Sequence, residues 1–241
     1  VITGVNIGRY EYGTYNLERA IEKVADLPGD FRIRISSMEP DGFGPDFHRL
    51  FQHPRMAPHL HLCLQSGSDP ILLKMRRMYT VRSFMEIIET FRSHMPDFNF
   101  TTDVIVGFPG ETDEEWQETL DYLHGLDFGH IHIFAYSPRP DTKAATLPDP
   151  VPEAVKKERS RQLHALLEEM RLGQLEKQIG KTAPVLVENY SEGKYWGYTP
   201  NYFRVGFEVN DRNDPVESSI LDIQISAIDR KKGVLVGKTA P

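Results

Sequence analysis

A single cysteine, Cys63, stands in 241 residues. That excludes a disulfide within the chain, and any all-cysteine zinc or iron–sulfur site built from this chain alone. Long hydrophobic runs are missing too. No stretch approaches the ~20 apolar residues that span a bilayer, so no membrane association is expected. Positive charge is in the minority, with 28 Lys and Arg against 35 Asp and Glu and a net charge of −7. The global electrostatic footprint of a nucleic-acid binder is therefore absent, and only a local RNA-facing surface stays open. The lack of a signal peptide or lipidation signature, with one lone thiol, points to the cytoplasm. No methionine precedes Val1, so the chain reads as an excised piece of something longer.

What is present is globular: 39% apolar and 26% charged residues, enough for one large domain or a medium domain with a small appendage. From 1 to about 147, β-like runs (1–5, 31–36, 59–64, 99–106, 130–135) alternate with helical segments (16–27, 45–52, 81–94, 113–126). Trp116, Leu120 and Leu123 form one apolar stripe on the last helix, and Thr112 with Glu115 has capping-box spacing at its start. Strands separated by helices predict parallel βα units, closed into a barrel or opened into a doubly wound sheet. A proline-rich patch, LPDPVP at 147–152, ends this region. A polar helix follows over 153–179, stopped by Gly180. From 181 five short runs (183–188, 195–198, 202–209, 219–227, 234–236), with turns at 191–193 and 211–215, read as a small β-barrel.

Two segments carry the chemistry. In TTDVIVGFPGET at 101–112, a strand ends in glycines where a ligand can approach the backbone closely. In a parallel α/β fold that edge is where ligands bind; a plain βα turn is the alternative. A phosphate grip is disfavoured, since no Lys follows the glycines and Glu111 repels anions. HLHLCLQSGSD at 59–69 likewise ends in Gln65, Ser66 and Gly67, small and amide residues suited to a polar ligand, with Ser68 or Asp69 as caps of the next helix. His59 with His61, and His130 with His132, each point to one side of a strand. Two such pairs with Asp103 suit a metal in a barrel hydrolase, and buried, hydrogen-bonded histidines are the other outcome. Cys63 reads as a small buried hydrophobe.

These residues, with GVNIG at 4–8, RISSMEP at 34–40, Arg77, Tyr79 and YSPRP at 136–140, resemble the radical SAM methylthiotransferases. GKT at 180–182 and GYTPNY at 197–202 resemble the TRAM domain that closes those enzymes. The resemblance is colinear over essentially the whole chain. It implies an open β/α barrel of the radical SAM type over 1–147, a linker helix over 148–180 and a TRAM-like β-barrel over 181–241. It also implies an enzyme that methylthiolates C2 of a hypermodified adenosine at tRNA position 37. The GVNIG, SSMEP and tail motifs look most like the threonylcarbamoyl-adenosine branch, with the isopentenyl-adenosine branch or a ribosomal protein substrate as alternatives. The implied cofactors are S-adenosyl-L-methionine and [4Fe–4S] clusters whose ligands are not in this chain. The chain therefore looks cut just after its cluster loop, and alone it is expected to be inactive. Two readings of other classes stay open: the metal-dependent hydrolase, and an RNA-binding module without catalysis.

By motif position, the resemblance places Asn6 near the methionyl end of S-adenosyl-L-methionine. Gln65, Ser66 and Asp103 fall on its ribose or methionyl groups, Arg77 on its carboxylate or an RNA phosphate, and Glu39 on the same cavity. The expected partner is the tRNA anticodon stem-loop, bound by a monomer. Residues 181–241 carry eight Lys/Arg and eight Asp/Glu, so RNA contact there needs a patch. Arg204 with Tyr202 and Phe203, and the run Arg230, Lys231, Lys232, combine stacking surfaces with cations. Cys63 stands where the family usually has proline. Asp141 and Lys143 replace a usual glycine and proline, so the loop after Phe134 is expected to differ, and Glu11 replaces a common glycine.

Overall fold

A computed structural model describes residues 1–209 and 217–240. The turn expected at 211–215 lies outside the described residues. Four strands, β3 (Ser37–Met38), β4 (His59–Leu62), β5 (Asn99–Val106) and β6 (His130–Ala135), form a parallel sheet in that order. Before them come a two-stranded ribbon, β1 (Glu11–Tyr12) with β2 (Tyr15–Asn16), and helix α1 (Leu17–Ala25). The strand expected over 1–5 shrinks to one parallel bridge between Ile2 and Ile35, and that over 31–36 to this bridge and one from Ile33 to Met56. Val5 is fully exposed and follows Gly4, so no side-chain burial at these two positions extends the ladder beyond Ile2.

Helices α2 (Asp69–Lys74), α3 (Val81–His94), α4 (Asp113–His124) and α5 (Glu153–Glu176) complete this half. Thr80 with Ser83, and Thr112 with Glu115, close reciprocal capping boxes at the starts of α3 and α4. Phe84, Ile88 and Phe91 on α3 bury one face at i, i+4, i+7. On α4 the buried positions are Trp116, Thr119 and Leu123, with Leu120 only half-buried.

Strand alternation sorts the sheet into two faces. Leu60, Leu62, Phe100, Val104 and Ile131 join a core shared with α1, α3, α4 and α5. His59, His61, Asn99, Thr101, Asp103, His130 and His132 line a cavity on the opposite face. One apolar face with helices and one polar, hollow face is the pattern of a barrel left open. A doubly wound sheet would be apolar on both.

Five strands, β7 (Thr182–Ser191), β8 (Lys194–Tyr198), β9 (Arg204–Glu208), β10 (Ile220–Asp229) and β11 (Val234–Thr239), close a second barrel in the order β10-β11-β9-β8-β7. Its inward residues Val185, Val187, Phe203, Val205, Phe207, Ile223, Ile225 and Leu235 form a separate cluster. Helix α5 serves both cores: Leu163, Leu167 and Met170 lie in the first and Leu175 in the second. Polar contacts fasten the two halves. Arg32 donates to the Pro184 carbonyl at 2.7 Å, Asn99 Nδ2 to the Asn201 carbonyl at 2.8 Å, and Lys181 pairs with Asp97 at 2.7 Å.

Candidate functional site

The C-terminal ends of the parallel strands fall on one edge, and most of the expected ligand-binding residues gather there. Gln65 leaves β4 with φ 71°, the left-handed region. Its N–H donates to the Asp103 carbonyl at 2.8 Å and its carbonyl accepts from Ile105 at 2.9 Å, tying β4 to β5 just past the ladder. Arg77 Nη1 donates to Glu39 Oε1 at 2.7 Å, both side chains about 28% exposed. Arg77 thus belongs to the strand edge and is not a free surface residue; its Nε is buried without a partner. Asn6 takes φ 54° before a single 3-10 turn (Ile7–Arg9). Tyr79 Oη donates to the carbonyls of Cys63 and Leu64 at 2.9 and 3.0 Å and pins the end of β4 from beneath.

Ser66 departs from its expected role. It is fully buried, and its hydroxyl meets Thr119 Oγ1 at 3.3 Å while accepting from the Ser68 N–H at 3.2 Å. Its donor and acceptor capacity is spent inside the turn. Gly107, expected to let a ligand approach, is also committed. A Cβ there would lie 2.4 Å from Lys156 Cγ, so the space belongs to α5. The Gly107 N–H donates to Glu111 Oε2 at 2.8 Å, and Arg159 Nη1 donates to the same oxygen at 2.7 Å. Glu111 and Arg159 are 1% and 5% exposed at their side chains. Burial pushes the Glu111 carboxyl up, opposed by the Gly107 hydrogen bond and the Arg159 charge. The GFPGE turn is a lock between sheet and helix. Asp141 takes a left-handed backbone at φ 63°, a conformation that Asp tolerates better than most residues.

The second feature is a cavity of about 720 Å³ between the polar face of the sheet and the small barrel. Thr101 Oγ1 holds His61 Nδ1 at 2.9 Å and His59 Nε2 at 3.2 Å. His61 Nε2 lies 3.3 Å from Asp103 Oδ1, and Cys63 Sγ 3.9 Å from Asp103 Oδ2. Burial, then the nearby Glu39 and Asp103 charges, pushes the Cys63 thiol up to about 12. Burial and Arg34 pull His59 down to about 3, and burial with His132 pulls His130 down to about 4. His59 and His130 are therefore neutral near pH 7. Among the described residues, His61, Cys63 and Asp103 are the group whose ligand atoms lie within 4.8 Å of one another. His59, His130 and His132 are not part of that group, so the alternative of a metal held by both histidine pairs with Asp103 finds no such cluster among the described residues.

The expected RNA-facing residues divide. Phe203 is 6% exposed in the barrel core and offers no stacking face, because its side chain is one of those that fill the barrel. Tyr202 is half-buried with its ring engaged: Arg34 Cζ lies 4.3 Å from the centroid, Tyr198 stacks at 4.6 Å and His59 sits at 4.7 Å. Arg204 is exposed over Trp196 at 4.7 Å. Arg230 pairs with Glu176 at 2.8 Å and Lys232 with Glu192, leaving Lys231 as the cation of that run without an ion pair among the described residues. Asn99 and Arg171, which no sequence motif singles out, and Arg34, the first residue of RISSMEP, line the cavity. Strand alternation was the signal available for Asn99, two residues before Thr101.

Comparison with known proteins bears on this geometry. The Radical SAM superfamily profile matches residues 1–123. A threonylcarbamoyladenosine tRNA methylthiotransferase of Thermotoga maritima is 40% identical over 87% of this chain and 49% of its own length. A tRNA-2-methylthio-N(6)-dimethylallyladenosine synthase of Mycobacteroides abscessus is 46% identical over 72% of this chain and 34% of its own. The chain spans about half or less of the length of the curated relatives it matches. Among solved structures, coproporphyrinogen III oxidase of Escherichia coli superposes with a TM-score of 0.52 at 14% identity, covering 77% of this chain and 49% of that one; this likeness concerns the fold alone.

Proposed function

Because the chain belongs to the radical SAM superfamily, we propose that the protein containing it methylthiolates C2 of threonylcarbamoyl-adenosine at position 37 of tRNA. The observation that supports this reading is the strand edge where Arg77 pairs with Glu39 and Gln65 bonds the Asp103 backbone, together with relatives named for that reaction; Asn6 is assigned to the same ligand by resemblance alone. The orphaned Arg77 Nε is a buried donor lacking an acceptor, and the methionyl carboxylate of S-adenosyl-L-methionine is an acceptor of matching charge. Glu39 orients the guanidinium, and Asp103 and Gln65 offer acceptors to ribose hydroxyls or the methionyl amine. S-adenosyl-L-methionine, once bound, supplies the 5′-deoxyadenosyl group and the methyl group of such a reaction. These residues position it and exclude water around it.

A [4Fe–4S] cluster does not fit the residues present. Such clusters are held by several thiolates, and the one thiol here is buried and protonated. No step is assigned to this chain through that group, and the chain alone is proposed to be inactive. Anaerobic reconstitution followed by the visible spectrum tests that point, stoichiometric iron and sulfide being the contrary result.

For the whole reading, the reading frame that encodes this chain is expressed in a bacterium lacking its own adenosine methylthiotransferases. Its tRNA nucleosides are then resolved by mass spectrometry. A methylthio group on threonylcarbamoyl-adenosine is the expected product. The group on isopentenyl-adenosine would move the protein to the other branch, and the absence of both products would overturn the proposal.

A further inference from the structure

Arg34 is half-buried on the wall of the cavity, and its guanidinium has neither a carboxylate nor a hydrogen-bond acceptor among the described residues. Five N–H donors therefore face the Tyr202 ring and the cavity space unpaired. Two further polar atoms on the same wall are orphaned: His59 Nδ1 and Asn99 Oδ1, in side chains of residues 1% and 6% exposed. Arg204 lines the cavity without an ion pair among the described residues. Arg171 lines it while donating to the Gly233 carbonyl. One carboxylate, Asp103, faces them, and it is already engaged by His61. Arginine cations thus outnumber acids three to one on this wall, and a buried donor left unmade is costly.

We infer that this cavity holds the carboxylate-bearing substituent of the modified adenosine, with Arg34 as the residue that reads its charge. The inference rests on the methylthiotransferase reading above and names a determinant of its substrate. A threonylcarbamoyl group carries a carboxylate, a hydroxyl and amide N–H groups. The carboxylate matches Arg34 and Arg204, and an N–H or hydroxyl donor matches Asn99 Oδ1. An isopentenyl group has no polar atom and would bury those groups unpaired. The volume lies within the ~300–1,000 Å³ of ordinary small-molecule sites. Asp103, common to the cavity wall and the strand edge, places the two sites side by side.

An RNA phosphate is the other anion that could satisfy Arg34, and the test separates the two. Fluorescently labelled anticodon stem-loops of one sequence, carrying adenosine, threonylcarbamoyl-adenosine or isopentenyl-adenosine at position 37, are titrated with the full chain. All three carry the same phosphates. The threonylcarbamoyl loop is expected to bind about tenfold tighter than the unmodified one, the worth of a charge-assisted hydrogen bond. Arg34→Gln is expected to bring that ratio close to one, and Arg34→Lys to recover part of it. Equal affinity for the modified and unmodified loops would overturn the inference and leave the methylthiotransferase reading standing. Tighter binding of the isopentenyl loop would overturn it and shift the branch. Failure to bind any loop would overturn the tRNA reading itself. Should Arg34→Gln fail to fold, free threonylcarbamoyl-adenosine against adenosine decides by thermal shift of the parent chain. Stabilisation by the first alone supports the inference, and equal shifts overturn it.

Discussion

The guanidinium carbon of Arg34, from the sheet, lies 4.3 Å from the ring centroid of Tyr202, from the small barrel. Tyr202 reaches that position with φ 67°, a conformation non-glycine residues seldom adopt, while Tyr198 stacks on it with an interplanar angle of 15°. The ring is the wedge between the two halves of the chain. A cation–π contact contributes about 0.5–2 kcal/mol and an aromatic pair about 0.5–1.5 kcal/mol. Tyr202→Ala is therefore expected to lower stability by about 1–3 kcal/mol and Tyr202→Phe by far less. Urea unfolding of the two variants beside the parent measures it.

Acid should loosen the cavity wall. The folded-state value of His59 is depressed from 6.5 to about 3 by burial and by Arg34. In the unfolded chain His59 takes up a proton near pH 6.5, but in the folded chain it does so only near 3. Its contribution is thus intact above pH 6.5 and lost progressively as pH falls toward 3, at about 1.4 kcal/mol per pH unit. His59→Gln should flatten the stability–pH curve between 6.5 and 4. An unchanged slope would mean that His59 is charged in the folded chain.

Arg159→Ala leaves the Glu111 carboxylate 1% exposed and without its cation. Breaking one side of a buried pair costs about 3–5 kcal/mol. The double variant with Glu111→Gln is expected to be more stable than Arg159→Ala alone, and thermal or urea unfolding of both variants decides it.

Cys63 is 7% exposed and its thiol sits at about 12. Since only the thiolate reacts, alkylation by iodoacetamide at pH 8 should run roughly a thousandfold slower than for a free cysteine. It should become fast in denaturant. Rapid labelling of the native chain would show that the end of β4 opens.

The expectation of an extended basic surface at Arg230, Lys231 and Lys232 changes with the ion pairs seen. With two of the three cations already matched by Glu176 and Glu192, replacing all three by Ala is expected to flatten the salt dependence of RNA binding by only about one. Anisotropy at several salt concentrations reads the slope directly.

Periodicity and capping were legible. The 99–106 and 130–135 runs predict β5 and β6 at the bounds observed, and Thr112 with Glu115 predicts the start of α4, which ends at His124, two residues before the expected end, because local propensity and burial agree there. The 1–5 run failed because a strand needs a partner ladder, and only Ile2 finds one. At the site, Gln65 and Asp103 are readable as polar residues toward the ends of β4 and β5, whereas Arg77, one helix later, is singled out by the resemblance alone. Ser66 and Gly107 carry the same signature, but their partners, Thr119 and Lys156, come from distant helices. Phe203 and Tyr202 are adjacent aromatics with opposite fates, decided by which one the barrel closes over. The cavity itself was not legible, since it exists only between two units whose mutual placement no local pattern encodes.

Helix α5 leaves one apolar cluster at Met170 and enters the other at Leu175 within the same run of turns. At ~1.5 Å rise per residue, that is a rigid spacer of about 8 Å. It acts as a machinist's gauge block, fixing the gap between the sheet and the small barrel before anything enters it. A bend in that helix, such as a proline within 172–174 would impose, would reset the gap without touching any residue that lines the cavity.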